Sequence, residues 1–377
     1  MKRIAFNTRL LIKDKKDGIG LFTYESLKII VKDHPETDFY FIFDRTPDPK
    51  FIFSKNIHPV VISPQTRHIY LFKYWFQFAL KRALSKIKPD VFVATDGMFP
   101  LNTKTKTLAV IHDIYFEHHP EHLPKNVLNY YLKNFPKFAK KSTRIATVSE
   151  FSKNDICQTY QIDSPKIDIV YNGPNENFVP ISTSIQKEVK EKYTFGYDFF
   201  LFIGTLHPRK NLINLFLAFD AFKTKTNSPK KLLIVGRKMW WTKEIESAFS
   251  RLEFKNDIIF AGRVNEEELY KITASSYALT YVPVFEGFGI PLVEAMSCGT
   301  PVITSNITSM PEVVEDAGIL VDPFSVEDIA NAMIRMNDEH CLRSKLSEKS
   351  IGQAQKFSWQ KTADLLWDSI QKTIETN

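Results

Sequence analysis

Two glutamates, Glu286 and Glu294, enclose seven residues in the stretch VFEGFGIPLVEAMSCGTPVITSN (284–306). Gly287 and Gly289 lie between them, and Pro291 follows, a residue favoured in the first turn of a helix. The pattern reads as a strand, a glycine-rich turn and a helix N-terminus, whose exposed N–H groups suit a phosphate or a sugar hydroxyl. Glu294 falls one turn inside that helix, where its carboxylate could accept two neighbouring ribose hydroxyls. Glu286 sits in the loop, free to meet a sugar. A second feature is the pair Arg209 and Lys210 in FIGTLHPRKNLINLFLAF (202–219). Cations at a helix start are disfavoured unless an anion is also there.

The elements that must carry these residues alternate along the chain. Strand patterns occur at 3–7, 39–43, 90–94, 107–112, 144–149 and 167–171, and again at 199–204, 231–236, 257–262, 277–282 and 301–305. Amphipathic stretches of helical length separate them. That alternation predicts parallel sheets covered by helices, and such sheets bind ligands at the carboxyl ends of their strands. The segment YNGPNENFVPIS (171–182), rich in Asn, Pro and Gly, reads as a domain boundary. The length of 377 residues accommodates two α/β domains.

Composition excludes several classes. Hydrophobic residues make up 44% and charged residues 25%, values of a folded chain and not of a disordered one. Cys157, Cys298 and Cys341 are too few and too scattered for a disulfide framework. The apolar runs near the N-terminus, broken by Arg9, Lys13 and Asp14, are too short for a secretory leader, and no run spans a membrane. The net charge of +7 is unevenly placed: residues 1–180 carry 27 basic and 18 acidic side chains, residues 181–377 carry 23 and 25. Two acid-free segments concentrate the surplus. The first, 67–88, has six basic residues with Tyr70, Phe72, Tyr74, Trp75, Phe76 and Phe78; the second, 124–144, has Tyr130, Tyr131, Phe135 and Phe138. Each reads either as an amphipathic helix with a solvated basic face or as a docking face for an anionic leaflet or acceptor. Nucleic acid is the weaker option, because no nucleic-acid motif accompanies them.

The stretch EGFGIPLVEAMSCGTPVITSN resembles the donor-site signature of the retaining GT-B glycosyltransferases of family 4, whose hallmark is two glutamates at this spacing. The resemblance extends through FIGTLHPRKNLINLFLAF, LLIVGRKMWW (232–241), FAGRVNEEEL (260–269), MPEVVEDAGILVDP (310–323) and KFSWQKTADLLW (356–367). It continues, less specifically, through DGIGLFTYESLK (17–28), VIHDIYFEHHPEHLP (110–124), TVSEFSKNDI (147–156) and VYNGPN (170–175). It implies an α/β GT-B fold: two Rossmann-like domains facing each other across a cleft, with a C-terminal helix crossing back to the first. The expected limits are 1–180 for the acceptor-binding domain, 181–355 for the sugar-nucleotide domain and 356–377 for the returning helix. Carried onto this sequence, the family pattern makes Arg209 and Lys210 the ligands of the donor diphosphate. Glu286 and His112 would contact the transferred sugar, and Gly18, Gly20, Gly204, Gly236, Arg263, Val264, Gly287, Phe288, Gly289, Ile290 and Glu294 would line the donor site. Pro283 and His207 depart from the common pattern, where relatives have Ser and an acid, and leave donor-sugar discrimination open.

The implied activity is retaining transfer of a sugar from a nucleotide-sugar to a saccharide or lipid-linked saccharide in bacterial surface polysaccharide synthesis. GTLHPRKN most resembles bacterial mannosyltransferases, so GDP-mannose is the expected donor, with a UDP-sugar or a silent sugar-nucleotide-binding scaffold as alternatives. No cofactor is expected: without a D-x-D or a Walker A motif, Arg209 and Lys210 would do the work of a divalent ion. No metal is expected at His118, His119 and His122 either, because the first two are adjacent in sequence. Cys298 reads as a packing residue, with no His nearby to activate it. The expected location is the cytoplasm, with docking on the inner face of the cytoplasmic membrane left open, and no nucleic-acid partner.

Overall fold

A computed structural model describes residues 2–13, 18–238 and 241–376. Asp17 of the first glycine loop, Asp14, and Met239 and Trp240 after the strand at 231–235 lie outside the described residues. The chain divides into two compact units, one formed by 1–173 with 358–377 and the other by 174–357.

Seven parallel strands among the described residues build the sheet of the first unit: β1 Arg3–Asn7, β2 Asp38–Phe43, β3 Ile57–Val61, β4 Val91–Ala94, β5 Thr107–Val110, β6 Arg144–Thr147 and β7 Ile167–Ile169. Their spatial order is β3-β2-β1-β4-β5-β6-β7. Consecutive strand residues point to opposite sides, and the core divides accordingly. Ile4, Phe6, Val91, Val93, Leu108 and Val110 join a cluster with Phe22, Leu366 and Ile370. The intervening Ala5, Phe92, Ala94 and Ala109 join another with Trp75, Phe76 and Phe138. Both faces are therefore buried, which is why these strands read as continuous apolar runs.

The last helix, Trp359–Glu375, belongs to this unit and packs beside the helix Gly18–Asp33. Ser369 donates to Asp168 (2.7 Å), Thr362 donates to the Tyr171 carbonyl (2.6 Å), and Trp367 stacks on His34. Gly173 lies so close to the start of this helix that a Cβ there would stand 2.3 Å from the Trp359 nitrogen.

The second unit carries six parallel strands among the described residues: β8 Phe199–Ile203, β9 Lys231–Val235, β10 Ile258–Gly262, β11 Ala278–Tyr281, β12 Val302–Ser305 and β13 Gly318–Val321. Their order is β10-β9-β8-β11-β12-β13. In both units the strand order reverses beside the first strand, between β1 and β4 and between β8 and β11. Connections leave in opposite directions at such a point, and the crevice left there is where doubly wound sheets bind ligands.

Every strand expected from sequence forms. The two that the pattern did not reveal, β3 and β13, each lie at one edge of their sheet, with β7 and β10 at the other. Pro59 sits inside β3, which an edge strand tolerates because one side needs no N–H donor. β13 starts with Gly318 and has only four residues.

The two basic aromatic segments resolve differently. Residues 125–141 form a helix whose Tyr130, Phe135 and Phe138 are buried, so its aromatics are core. Residues 69–87 form a helix interrupted by a π turn at 75–79. Trp75 and Phe76 point inward, but Tyr70, Tyr74 and Phe78 are 72%, 52% and 66% exposed. They recur every four residues, so they share one face, with Arg67, Lys73, Lys81 and Arg82 also exposed nearby.

Candidate active site

In the second unit, the strands flanking the reversal end in loops that meet. After β8 the chain passes Gly204 and makes a 3₁₀ turn at Pro208–Lys210, capped by His207, whose Nδ1 accepts from the Arg209 N–H (3.2 Å). Asn211 closes the turn in a left-handed conformation (φ 61°). Its side-chain amide donates to the carbonyls of Val282 (3.0 Å) and Pro323 (2.7 Å). After β11 the Glu286 loop returns alongside, with the Val284 N–H donating to the Arg209 carbonyl (2.9 Å).

The result is a buried ionic cluster. The Glu286 carboxylate, 8% exposed, receives the Lys210 ammonium and lies 3.4 Å from Arg209 Nη1. Lys210 also donates to the Tyr281 hydroxyl and stands over its ring, 4.8 Å from the centroid. Burial alone would raise the Glu286 pKa, but the charges of Arg209 and Lys210 and hydrogen bonds from Lys210 and Tyr281 bring it below the usual carboxylate value. Two cations thus converge on the Glu286 carboxylate beside the strand reversal.

Glycines bring the neighbouring loops together. At Gly236 (φ 155°) a Cβ would meet the Gly204 carbonyl oxygen at 1.8 Å, so β8 and β9 can end side by side only with glycine there. The Gly236 N–H donates to the Gly262 carbonyl (2.8 Å), which places Arg263 and Val264 next along the same edge. Gly289 (φ 92°) supplies the N-cap of the helix Ile290–Ser297, which Pro291 begins. Phe288 is buried edge-on against Phe357.

Glu294 differs from Glu286. It is equally buried, but burial and the charge of Glu266 push its pKa up to about 8, against the pull of the Asn175 N–H. Its environment therefore favours the protonated form more than that of Glu286 does. Cys298, one turn on, is buried, and burial raises its thiol pKa further from neutrality.

In the first unit, His112 lies just past β5, with Nε2 3.1 Å from the Thr95 carbonyl oxygen. Phe22, from the helix that Gly18 and Gly20 begin, meets its ring edge-on at 4.9 Å. The first unit's reversal also holds a pair that sequence reading passed over. Asp96 accepts from Asn7 Nδ2 (2.8 Å) and pairs with Arg9 (2.8 Å).

Residues 185–353 match the family described as glycosyl transferases group 1, and residues 35–178 match glycosyltransferase family 4. The chain is 30% identical over 256 residues to O-antigen chain mannosyltransferase B of Escherichia coli, covering 68% of this chain and 67% of that protein. It is also 30% identical over 279 residues to O-antigen chain mannosyltransferase RfbU of Salmonella typhimurium, covering 71% and 73%. This protein belongs to glycosyltransferase family 4.

The fold of this glycosyltransferase is the GT-B fold of two parallel-sheet α/β domains. It aligns with the crystal structure of Anabaena HepE in complex with UDP and glucose at a TM-score of 0.76 and 17% identity, over 99% of this chain and all of that one. It aligns with sucrose-phosphate synthase from Thermosynechococcus elongatus at 0.79 and 15%, over the full length of both.

Of the residues singled out in sequence, the glycosyltransferase's second unit gathers Gly204, Arg209, Lys210, Gly236, Arg263, Val264 and the 286–294 turn along the carboxyl edge of one sheet. Gly18, Gly20 and His112 collect in the first. Tyr281 and Asn211 were missed. Tyr281 ends a strand whose other residues look like ordinary core, and Asn211 looks like any polar residue after a basic pair. The one available signal was Asn beside a helix start, where it tolerates a left-handed backbone.

The raised Glu294 pKa has a consequence for stability. The unfolded value is near 4.5 and the folded value about 8, so between them the unfolded chain holds fewer protons and stability falls as pH rises. Urea unfolding at pH 5, 6.5 and 8 should show Glu294→Gln losing less stability than the parent. Their difference should change by at most about 1.4 kcal/mol per pH unit. Parallel pH dependences would contradict the burial argument.

Proposed function

We propose that this glycosyltransferase moves mannose from GDP-mannose to a saccharide or lipid-linked saccharide of a bacterial surface polysaccharide, with retention of anomeric configuration. The observation that carries the reading is the convergence of Arg209 and Lys210 on the single buried carboxylate of Glu286 at the strand reversal. A donor diphosphate is the dianionic partner that such a pair fits. Two relatives at 30% identity, named as O-antigen mannosyltransferases, favour the sugar.

In this reading the bond between the anomeric carbon and the diphosphate oxygen breaks as the acceptor oxygen attacks the same face. The acceptor's proton passes to the departing diphosphate oxygen. Arg209 and Lys210 stabilise the negative charge that grows there, so no divalent ion is needed at the diphosphate and no protein base is required. Glu286 orders the sugar hydroxyls, and His112 contacts the sugar. Glu294 meets the ribose as a neutral acid, able both to donate to one hydroxyl and to accept from its neighbour. Gly204, Gly236, Gly287 and Gly289 let the backbone approach the nucleotide, with Arg263 and Val264 beside the base and Phe288 and Ile290 shaping the turn.

Hydrolysis or transfer measured with a panel of sugar nucleotides tests both parts. GDP-mannose should turn over, and Lys210→Ala should cut that turnover by at least about 10²-fold. Turnover with a UDP-sugar alone would replace the donor. Full activity in Lys210→Ala would remove the leaving-group role, and calorimetric binding without transfer to any acceptor would leave a scaffold.

Peripheral docking on an anionic leaflet is part of the same proposal, supported by the exposed face of Tyr70, Tyr74 and Phe78 among basic residues. No helix among the described residues is long and apolar enough to cross a membrane. The chain should sediment with phosphatidylglycerol vesicles at low salt and less at high salt, and Tyr74→Ser with Phe78→Ser should weaken this. Absence of binding at low salt would end the claim.

A further inference from the structure

The segment after His112 is built differently from what adjacent histidines suggest. His118 turns away, 2.8 Å from Asp155. His119 caps the short helix Tyr115–His118, its N–H donating to the Tyr115 carbonyl (2.9 Å), and a 3₁₀ turn over Pro120–His122 then reverses the chain. That turn returns the side chain of His122 to the side of His119. The two rings lie within 19° of parallel, 5.5 Å apart, and both stack on the buried ring of Tyr115. Glu121 stands between them, its Oε1 3.2 Å from His119 Nδ1 and 3.6 Å from His122 Nε2. One nitrogen or oxygen from each residue lies within 4.8 Å of the other two.

We propose that His119, Glu121 and His122 form a binding site for a divalent transition-metal ion of the Zn²⁺ class. Two imidazoles and one carboxylate form a ligand set that Zn²⁺ accepts at about 2.0–2.2 Å per bond, with water completing a tetrahedron. Bonds of that length require ligand atoms roughly 3.4 Å apart. Glu121 already meets this spacing to both histidines, so the contraction needed falls between the two rings, of which His119 is the more exposed at 27%. The surroundings already hold the rest. The hydroxyl of Tyr115 bonds to His122 Nδ1, so with that nitrogen protonated Nε2 presents its lone pair toward Glu121. On either side, Glu117 accepts from the Tyr160 hydroxyl (2.8 Å) and His118 pairs with Asp155, tying the segment to the helix Glu150–Tyr160. Nitrogen ligands and the small ligand number disfavour Mg²⁺ and Ca²⁺. A bound ion would clamp the turn to the helix that follows His112.

Equilibrium dialysis of the untagged full chain against Zn²⁺, with Co²⁺ absorption as the coordination probe, tests this. One Zn²⁺ per chain and a tetrahedral Co²⁺ spectrum are expected, undisturbed by excess Mg²⁺. His119→Ala and Glu121→Gln, both on exposed or half-exposed side chains, should each lower affinity at least tenfold while melting like the parent without metal. His118→Ala should leave affinity unchanged. No stoichiometric Zn²⁺, parental affinity in both Glu121→Gln and His119→Ala, or equal loss in His118→Ala would overturn the site.

Discussion

A carboxylate withdrawn from water is costly unless opposite charge and hydrogen bonds replace its hydration. Glu286 meets that condition at the reversal of the second sheet, where Lys210, Arg209 and Tyr281 surround it. Much of the local architecture follows from this requirement. Asn211 takes a left-handed backbone and locks its amide onto two carbonyls, so that the turn after β8 aims both cations at one point. The loop after β11 is stitched to that turn through the Arg209 carbonyl. In the proposed reading, both cations turn to the donor diphosphate at this carboxyl edge of a doubly wound sheet.

The two buried glutamates of one signature therefore have opposite chemistry. Cations lower the pKa of Glu286; burial and the charge of Glu266 raise that of Glu294, eight residues on and equally enclosed. Environment, not residue type, assigns the roles. The first unit repeats the arrangement in simpler form, with Arg9 and Asp96 joined across its own reversal. Arg9 also lies over Phe72 and Phe76, connecting that point to the segment whose outer face exposes Tyr74 and Phe78.

Much of this was legible in the sequence. Eleven strands announced themselves as apolar runs because both sheet faces are buried, and the glycine positions marked close backbone approach. What stayed hidden has physical causes. β3 and β13 are edge strands whose apolar pattern is further interrupted, by Pro59 in one and by Gly318 at the start of the other. Tyr281 does its work through one hydroxyl on an otherwise core-like side chain. The ionisation of Glu294 depends on its burial and on Glu266, neither of which spacing encodes. His118 and His119, adjacent in sequence, part in the fold: the first pairs with Asp155, and a 3₁₀ turn brings Glu121 and His122 beside the second.

The most direct test of the account is a crystal structure with GDP-mannose bound. Diphosphate oxygens within hydrogen-bonding distance of Lys210 Nζ and the Arg209 guanidinium, with the sugar against Glu286, are expected. A diphosphate bound elsewhere, with Lys210 and Arg209 still closed on Glu286, would contradict it.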